Sequence, residues 1–223
     1  MTKFQGVVFW LLSKTRLKRK LYFRYEFNFR PNQLSYFIDC LDKTSNVNGD
    51  ILEIGIDRGH TTVFLKKHMQ AVKNTKKYIC LDLFSKSEGF VDHDVEHEVK
   101  KRGKEHFMFD NHTASEIDDI KYILELNKIC ENVEFIKADV SEYKFKDKQK
   151  FSFCLLDVDL YLPTLAALEK IYPKLESGGI IVIDDCQDNK YWDGALQAYK
   201  EFINKYNLEE KVILDKLGII EKR

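Results

Sequence analysis

The chain has 223 residues, and 36 Lys and Arg balance 36 Asp and Glu, so the formal net charge is zero. That balance removes the global electrostatic case for a nucleic-acid partner, and the length fits one domain with a sheet between two helical layers. Five cysteines (Cys40, Cys80, Cys130, Cys154 and Cys186) are scattered without CxxC spacing, which points to a reducing cytoplasm and away from a disulfide framework.

The chain opens on an apolar run, Phe4, Val7, Val8, Phe9, Trp10, Leu11 and Leu12, followed by Lys14, Arg16, Lys18, Arg19 and Lys20. The run is too short to span a bilayer, and its charges follow the apolar residues where a secretory signal has them first. Residues 1–48 therefore read as a basic helical or lid segment packed on the domain, with contact to an anionic membrane surface as the alternative. From residue 49 onward strand and helix signals alternate, the mark of a parallel α/β sheet. Strands are predicted at Asp50 to Ile56, Lys77 to Leu83, Val133 to Ala138, Phe151 to Leu156 and Ile180 to Ile183, the last set off by a chain break at Gly178-Gly179. Helices are predicted from Gly59 to Val72, from Ser115 to Ile129 with Glu116, Asp118 and Asp119 at its dipole-favoured end, and after Pro163. Lys211 to Leu214 and Gly218 to Glu221 read as a closing hairpin. The expected fold for 49–223 is α/β: a Rossmann-like, seven-stranded, mostly parallel sheet with helices on both faces and a C-terminal β-hairpin. Ser85 to Thr113 is the one long irregular stretch, of a length usual in lids and binding loops. Within it Val91 to Glu98 reads as a solvated charged helix, although His93 and His97 have the i, i+4 spacing of metal ligands.

Two stretches carry the chemistry. The strand ending Glu53-Ile54-Gly55, with Gly59 opening a helix, lets the backbone pass close to a bound cofactor and aims helix N–H groups at it. Glu53 stands where a dinucleotide fold has its first glycine, which argues against NAD. Asp82 ends the second strand, where an acid accepts hydrogen bonds from ribose hydroxyls, and Asp139 after the third strand suits an adenine amino group. Further on, Leu155-Leu156-Asp157-Val158-Asp159-Leu160-Tyr161 and Ile183-Asp184-Asp185 end two apolar strands in carboxylates. Ligands of open α/β sheets bind outside those strand ends, so Asp157, Asp159, Asp184 and Asp185 should share one crevice. Crowded carboxylates repel one another and suit a hard cation such as Mg²⁺.

These motifs, with Glu88-Gly89-Phe90, Tyr172-Pro173-Lys174-Leu175 and Gly178-Gly179 in the same order, resemble the class I S-adenosylmethionine-dependent methyltransferases, most nearly the macrocin and mycinamicin O-methyltransferase family. The resemblance covers residues 49–203. It implies S-adenosylmethionine against Glu53, Gly55, Gly59, Asp82 and Asp139, and Mg²⁺ on Asp157, Asp184 and Asp185. A cation holding two adjacent hydroxyls would lower the proton affinity of one, and a side chain would then take the proton. Asp188, three residues past the acid pair, and His112 are the candidates; Trp192 is a candidate for stacking on a sugar face.

The expected reaction is methyl transfer to a hydroxyl of a sugar or glycan precursor. Seven basic residues between Lys14 and Arg30 would suit a phosphate-bearing acceptor. The alternatives are a catechol-like diol as acceptor and a non-catalytic cofactor-binding scaffold. Homo-oligomerisation is left open by the sequence.

Overall fold

Alternation of side chains along the central strands decides what each helix layer covers. The computed structural model describes residues 29–85, 89–109, 115–189 and 192–223. The apolar and basic run before residue 29, Glu88 and His112 lie outside those residues. The strands are β1 (Asp50–Ile54), β2 (Tyr78–Asp82), β3 (Val133–Lys137), β4 (Phe151–Leu156), β5 (Leu175–Ile183), β6 (Val212–Ile213) and β7 (Leu217–Glu221). They lie in the order β3-β2-β1-β4-β5-β7-β6, parallel from β3 to β5, with β7 antiparallel to both β5 and β6. This is the seven-stranded, mostly parallel sheet with a terminal hairpin that the sequence predicts. The strand order reverses between β1 and β4, which makes the carboxyl ends of those two strands the place for a ligand.

The helices are α1 (Pro31–Lys43), α2 (His60–Ala71), α3 (Asp92–Arg102), α4 (Ile117–Leu126), α5 (Tyr161–Ile171) and α6 (Gly194–Lys205). Leu52 and Ile54 of β1 pack with Ala167, Leu168 and Ile171 of α5 and with Tyr199 and Phe202 of α6 in one buried cluster. Glu53, between them, points to the opposite face, where it meets Thr62 of α2. Two helical layers follow from that period of two. The unit carrying the sheet begins at Pro31, so α1 belongs with it, ahead of the start at residue 49 read from the motifs. Among the described residues no helix is long and apolar enough to cross a membrane.

Three expectations need correction. The stretch Ser85 to Thr113 is not irregular throughout, because α3 and a 3-10 turn at His106–Met108 occupy its middle. Its helix is not solvated all round: Asp94 and Glu98 are buried, Glu98 for the reason given with the site below. Gly178-Gly179 does not break the chain before the fifth strand, which already starts at Leu175. Gly178 has a φ of 82°, and its N–H donates to the Lys222 carbonyl at 2.7 Å while the Lys222 N–H donates to the Gly179 carbonyl at 3.0 Å. The extra residues are absorbed as a bulge, with Phe151 opposite Leu175 and Phe153 opposite Ile180, and pairing continues.

Glu53 is 1% exposed and its Oε2 accepts from Thr62 Oγ1 at 2.6 Å and from Tyr78 Oη at 2.7 Å. Burial raises its pKa from 4.5 to about 7 against the pull of those two hydroxyls, and the charge of Asp82 adds to the rise. Ionisation is thus opposed in the folded protein and unopposed in the unfolded chain, so this residue's contribution to stability falls as pH rises from the ordinary carboxylate range through 7. Glu53→Gln keeps an oxygen for both hydroxyls and removes the titration. In urea denaturation the variant should gain on the parent by up to about 3 kcal/mol between about pH 5 and about pH 8; parallel pH profiles would contradict this assignment.

Candidate active site

The β1 and β4 ends meet with almost no space between them. The Asp157 N–H donates to the Ile54 carbonyl at 2.8 Å, continuing the β1–β4 ladder past its last registered pair. Gly55 has a φ of 84°, and a Cβ there would lie 1.7 Å from the Asp157 carbonyl oxygen. Gly55 therefore has two reasons to be glycine: its own conformation and the backbone it lies against. The turn after it is tied down by Asp82, whose Oδ2 accepts from the Ile56 N–H at 2.6 Å and whose Oδ1 accepts from the Phe84 N–H at 2.8 Å. Burial raises the pKa of Asp82, and those backbone donors oppose the rise. Asp82 organises the turn by accepting from the backbone N–H groups of Ile56, Phe84 and Asp57.

Gly59 caps α2 in the left-handed region, with a φ of 72° and the Ile120 side chain 3.0 Å from where its Cβ would be. Asp139 Oδ1 accepts from the Ser141 N–H at 2.7 Å, holding the turn after β3. Glu53 lies inside the sheet layer beneath the turn, held by Thr62 and Tyr78.

β4 and β5 are neighbours, with Leu156 opposite Ile183. Asp157 and Asp184 therefore leave the sheet side by side, and the Asp184 N–H donates to the Leu156 carbonyl at 2.8 Å. Left-handed φ values at Asp159 (58°) and Asp185 (54°) turn the chain just beyond each strand, bringing those two side chains into hydrogen-bond contact. The four acids lie close enough to act on one another electrostatically; Asp157 and Asp159 are half-buried, whereas Asp184 and Asp185 are buried.

Burial raises the proton affinity of Asp157, and the charges of Asp184, Asp159 and Asp185 raise it further. Asp159 is raised by burial and then by Asp185. Asp184 is pushed up to about 6 by burial, with Lys216 opposing the shift and Asp185 adding to it. Its Oδ1 is buried and has no hydrogen-bond partner. An orphaned carboxylate oxygen among acids is the donor chemistry of a hard cation. Among the described residues, however, no three His, Cys, Asp or Glu side chains form a ready coordination group.

A basic residue also stands among these acids. Lys216 Nζ donates to Asp184 Oδ2 at 2.6 Å and to Asp185 Oδ1 at 3.2 Å. No motif marks it, but the hairpin does. A strand antiparallel to β5 brings the residues just before β7 level with those just after β5, as the pairing of Ile183 with Gly218 shows.

Asp188 is exposed. Trp192 is half-buried, its ring centroid 6.1 Å from that of Phe90 and 5.9 Å from that of Phe109, inside a small apolar cluster with Val95 and Leu160. His93 is an exposed side chain 3.6 Å from Asp94, and His97 stacks on Tyr161 with ring centroids 5.2 Å apart.

Glu98 is a buried acid of α3 with partners on other elements. Its Oε1 accepts from the Tyr161 N–H at 2.8 Å, at the start of α5, and its Oε2 accepts from Arg102 Nε at 2.7 Å. Arg102 reaches on to Asp193 at 2.6 Å, just before α6, and Lys104 meets the same oxygen at 2.6 Å. Gly194 leaves room for this, since a Cβ there would sit 2.6 Å from the Tyr161 nitrogen. One partly buried ionic chain thus joins α3 to the starts of the two helices that follow the acidic loops.

The fold and this crevice define a class I methyltransferase. Residues 30–222 match the model of the macrocin-O-methyltransferase (TylF) family, so the chain belongs to that family and is an O-methyltransferase. It is 24% identical over 193 residues to the 8-demethyl-8-(2,3-dimethoxy-alpha-L-rhamnosyl)-tetracenomycin-C 4'-O-methyltransferase of Streptomyces olivaceus, covering 82% of this chain and 68% of that protein. Among solved structures it is similar in fold to the O-methyltransferase NovP, with a TM-score of 0.68, 18% identity, and coverage of 85% of this chain and 79% of that one. The calicheamicin methyltransferase CalS11 gives a TM-score of 0.66 and 18% identity over 99% of this chain and 93% of its own.

Two measurements test this geometry. Gly55→Ala should cost about 3 kcal/mol or more in urea denaturation, because both conformation and backbone oppose it, while Gly59→Ala should cost about 1 kcal/mol because a flexible isoleucine can yield; equal costs would contradict the close approach. Glu98→Ala should destabilise the protein by about 3 kcal/mol through the buried guanidinium and N–H it strands, and a loss under about 1 kcal/mol would mean the ionic chain is not structural.

Proposed function

We propose that the protein transfers a methyl group from S-adenosylmethionine to a hydroxyl of a sugar, either free, nucleotide-linked or attached to a larger acceptor. The observation that carries this reading is the contact between Gly55 and Asp157: the turn suited to a cofactor backs directly onto the crevice suited to a polyhydroxylated acceptor. The family assignment supports the transfer of a methyl group to oxygen. The tetracenomycin enzyme, whose name specifies a rhamnosyl substrate, and CalS11, described as a TDP-rhamnose 3'-O-methyltransferase, support the sugar.

In this reading the Gly55 turn, Asp82 and Asp139 hold S-adenosylmethionine, which supplies an electrophilic methyl when bound. Glu53 supports that turn from beneath and stays out of the cofactor's reach. Asp157, Asp184 and Asp185 would hold Mg²⁺, whose chemistry there is to offset their charge and acidify a hydroxyl. Aligning the attacking oxygen with the methyl falls to the crevice walls, Asp157 and Asp159 at the mouth and Trp192 with Phe90 at the side. Asp159, half-buried and two residues beyond Asp157, takes the hydroxyl proton. It displaces Asp188, which is exposed, as the candidate base.

The test is calorimetric titration of the purified protein with S-adenosylmethionine and, separately, with NAD, followed by transfer of labelled methyl to a panel of nucleotide sugars and glycosides. Selective S-adenosylmethionine binding and label on a sugar are expected. Asp157→Asn should retain cofactor binding and lose at least about 100-fold in transfer. Label on a catechol and on no sugar would replace the acceptor, and a folded protein that does not bind S-adenosylmethionine would be a scaffold.

A further inference from the structure

Four carboxylates meet at the ends of β4 and β5, and Lys216 brings the ammonium that touches two of them. That lysine is built into the site. Its carbonyl accepts from the Cys186 N–H at 2.8 Å, so its backbone is registered against the residue that follows the acid pair. Gly218 keeps the hairpin pressed to the same place, since a Cβ there would lie 2.5 Å from Cys186 Sγ. Left-handed φ values at Leu214 and Asp215, 49° and 73°, set the turn that aims residue 216 inward, and Gln33 Nε2 of α1 donates to the Leu214 carbonyl at 3.0 Å. The side chain is 18% exposed against 3% for Asp184.

We infer that Lys216 is a tethered counter-ion that holds the acidic crevice together and competes with a divalent cation for Asp184 and Asp185, so that cation binding is an exchange against this ammonium. The inference rests on the metal reading of the acids under the proposed function. Its physical basis is charge. A cation drawing on Asp184 and Asp185 must approach the ammonium that already engages one oxygen of each, and like charges so close in a poorly solvated crevice repel strongly. One ammonium does not satisfy the site either, because Asp184 Oδ1 is left without a partner. The arrangement keeps the acids ordered while leaving a demand for positive charge that a divalent ion meets better. An aliphatic side chain of similar length at 216 would remove the competitor and keep the packing.

The experiment is Mn²⁺ titration followed by the electron paramagnetic resonance of the free ion. The samples are the unaltered full chain, Lys216→Met, Lys216→Arg, and Lys216→Met combined with Asp184→Asn; S-adenosylmethionine binding is measured on each. Lys216→Met should bind one Mn²⁺ with a Kd lower by at least about tenfold, Lys216→Arg should show no such gain, and Asp184→Asn should abolish it. An unchanged or weaker Kd in Lys216→Met, or a gain that survives Asp184→Asn, overturns the inference. Should Lys216→Met fail to fold, reductive methylation of the unaltered protein with peptide mass spectrometry decides. Saturating Mn²⁺ should speed labelling of Lys216 several-fold as the ammonium leaves the acids, and unchanged or slower labelling overturns the inference. Loss of S-adenosylmethionine binding in every sample would instead count against the methyltransferase reading, whatever Mn²⁺ does.

Discussion

Negative charge held out of water at the carboxyl ends of β4 and β5 is the constraint on which the rest of this structure depends. Asp184, Asp159 and Asp185 raise the proton affinity of Asp157, Asp185 and Asp184 raise that of Asp159, and Asp185 raises that of Asp184. Such a group persists only if the scaffold is rigid enough to forbid its dispersal and if some positive charge is supplied. Rigidity comes from the central parallel strands, whose ladder runs one step beyond the sheet to fix Asp157 and Asp184 by their backbone N–H groups. Charge comes from the hairpin that closes the opposite side.

The surrounding elements then fall into place as supports. Asp82 ties the turn after β1, and Gly55 lets that turn lie against β4. Glu98 and Arg102 hold α3 over the starts of α5 and α6, which fixes the two acidic loops from above. The aromatic cluster of Phe90, Phe109 and Trp192 fills the space beside Leu160. Polar chains hold the frame, and the apolar rings pack beside it.

Much of this was legible in the sequence because its signals are local. Strand period, the acids at strand ends and the hairpin residues all report on immediate neighbours, and they gave the sheet and the shared crevice. The signals that misled were also local. Gly178-Gly179 looked like a break because sequence shows a glycine's freedom and not the partner strand that turns it into a bulge. Glu98 reads as solvated because its partners, Tyr161 and, through Arg102, Asp193, are far away in the chain. Lys216 was invisible for the same reason: only the antiparallel register of β7 on β5 brings it to the acids.

The contact between Gly55 and Asp157 has a consequence for how the protein reaches its native state. Those residues belong to strands separated by two helices, a further pair of strands and the whole α3 region, and they meet only when β1 and β4 pair. Parallel pairing of that kind carries a large loop-closure cost and forms slowly compared with hairpins and helices. The close approach of Gly55 to Asp157 therefore waits on that pairing, whereas the acids at the ends of β4 and β5, whose strands have only α5 between them, meet through a far more local crossover.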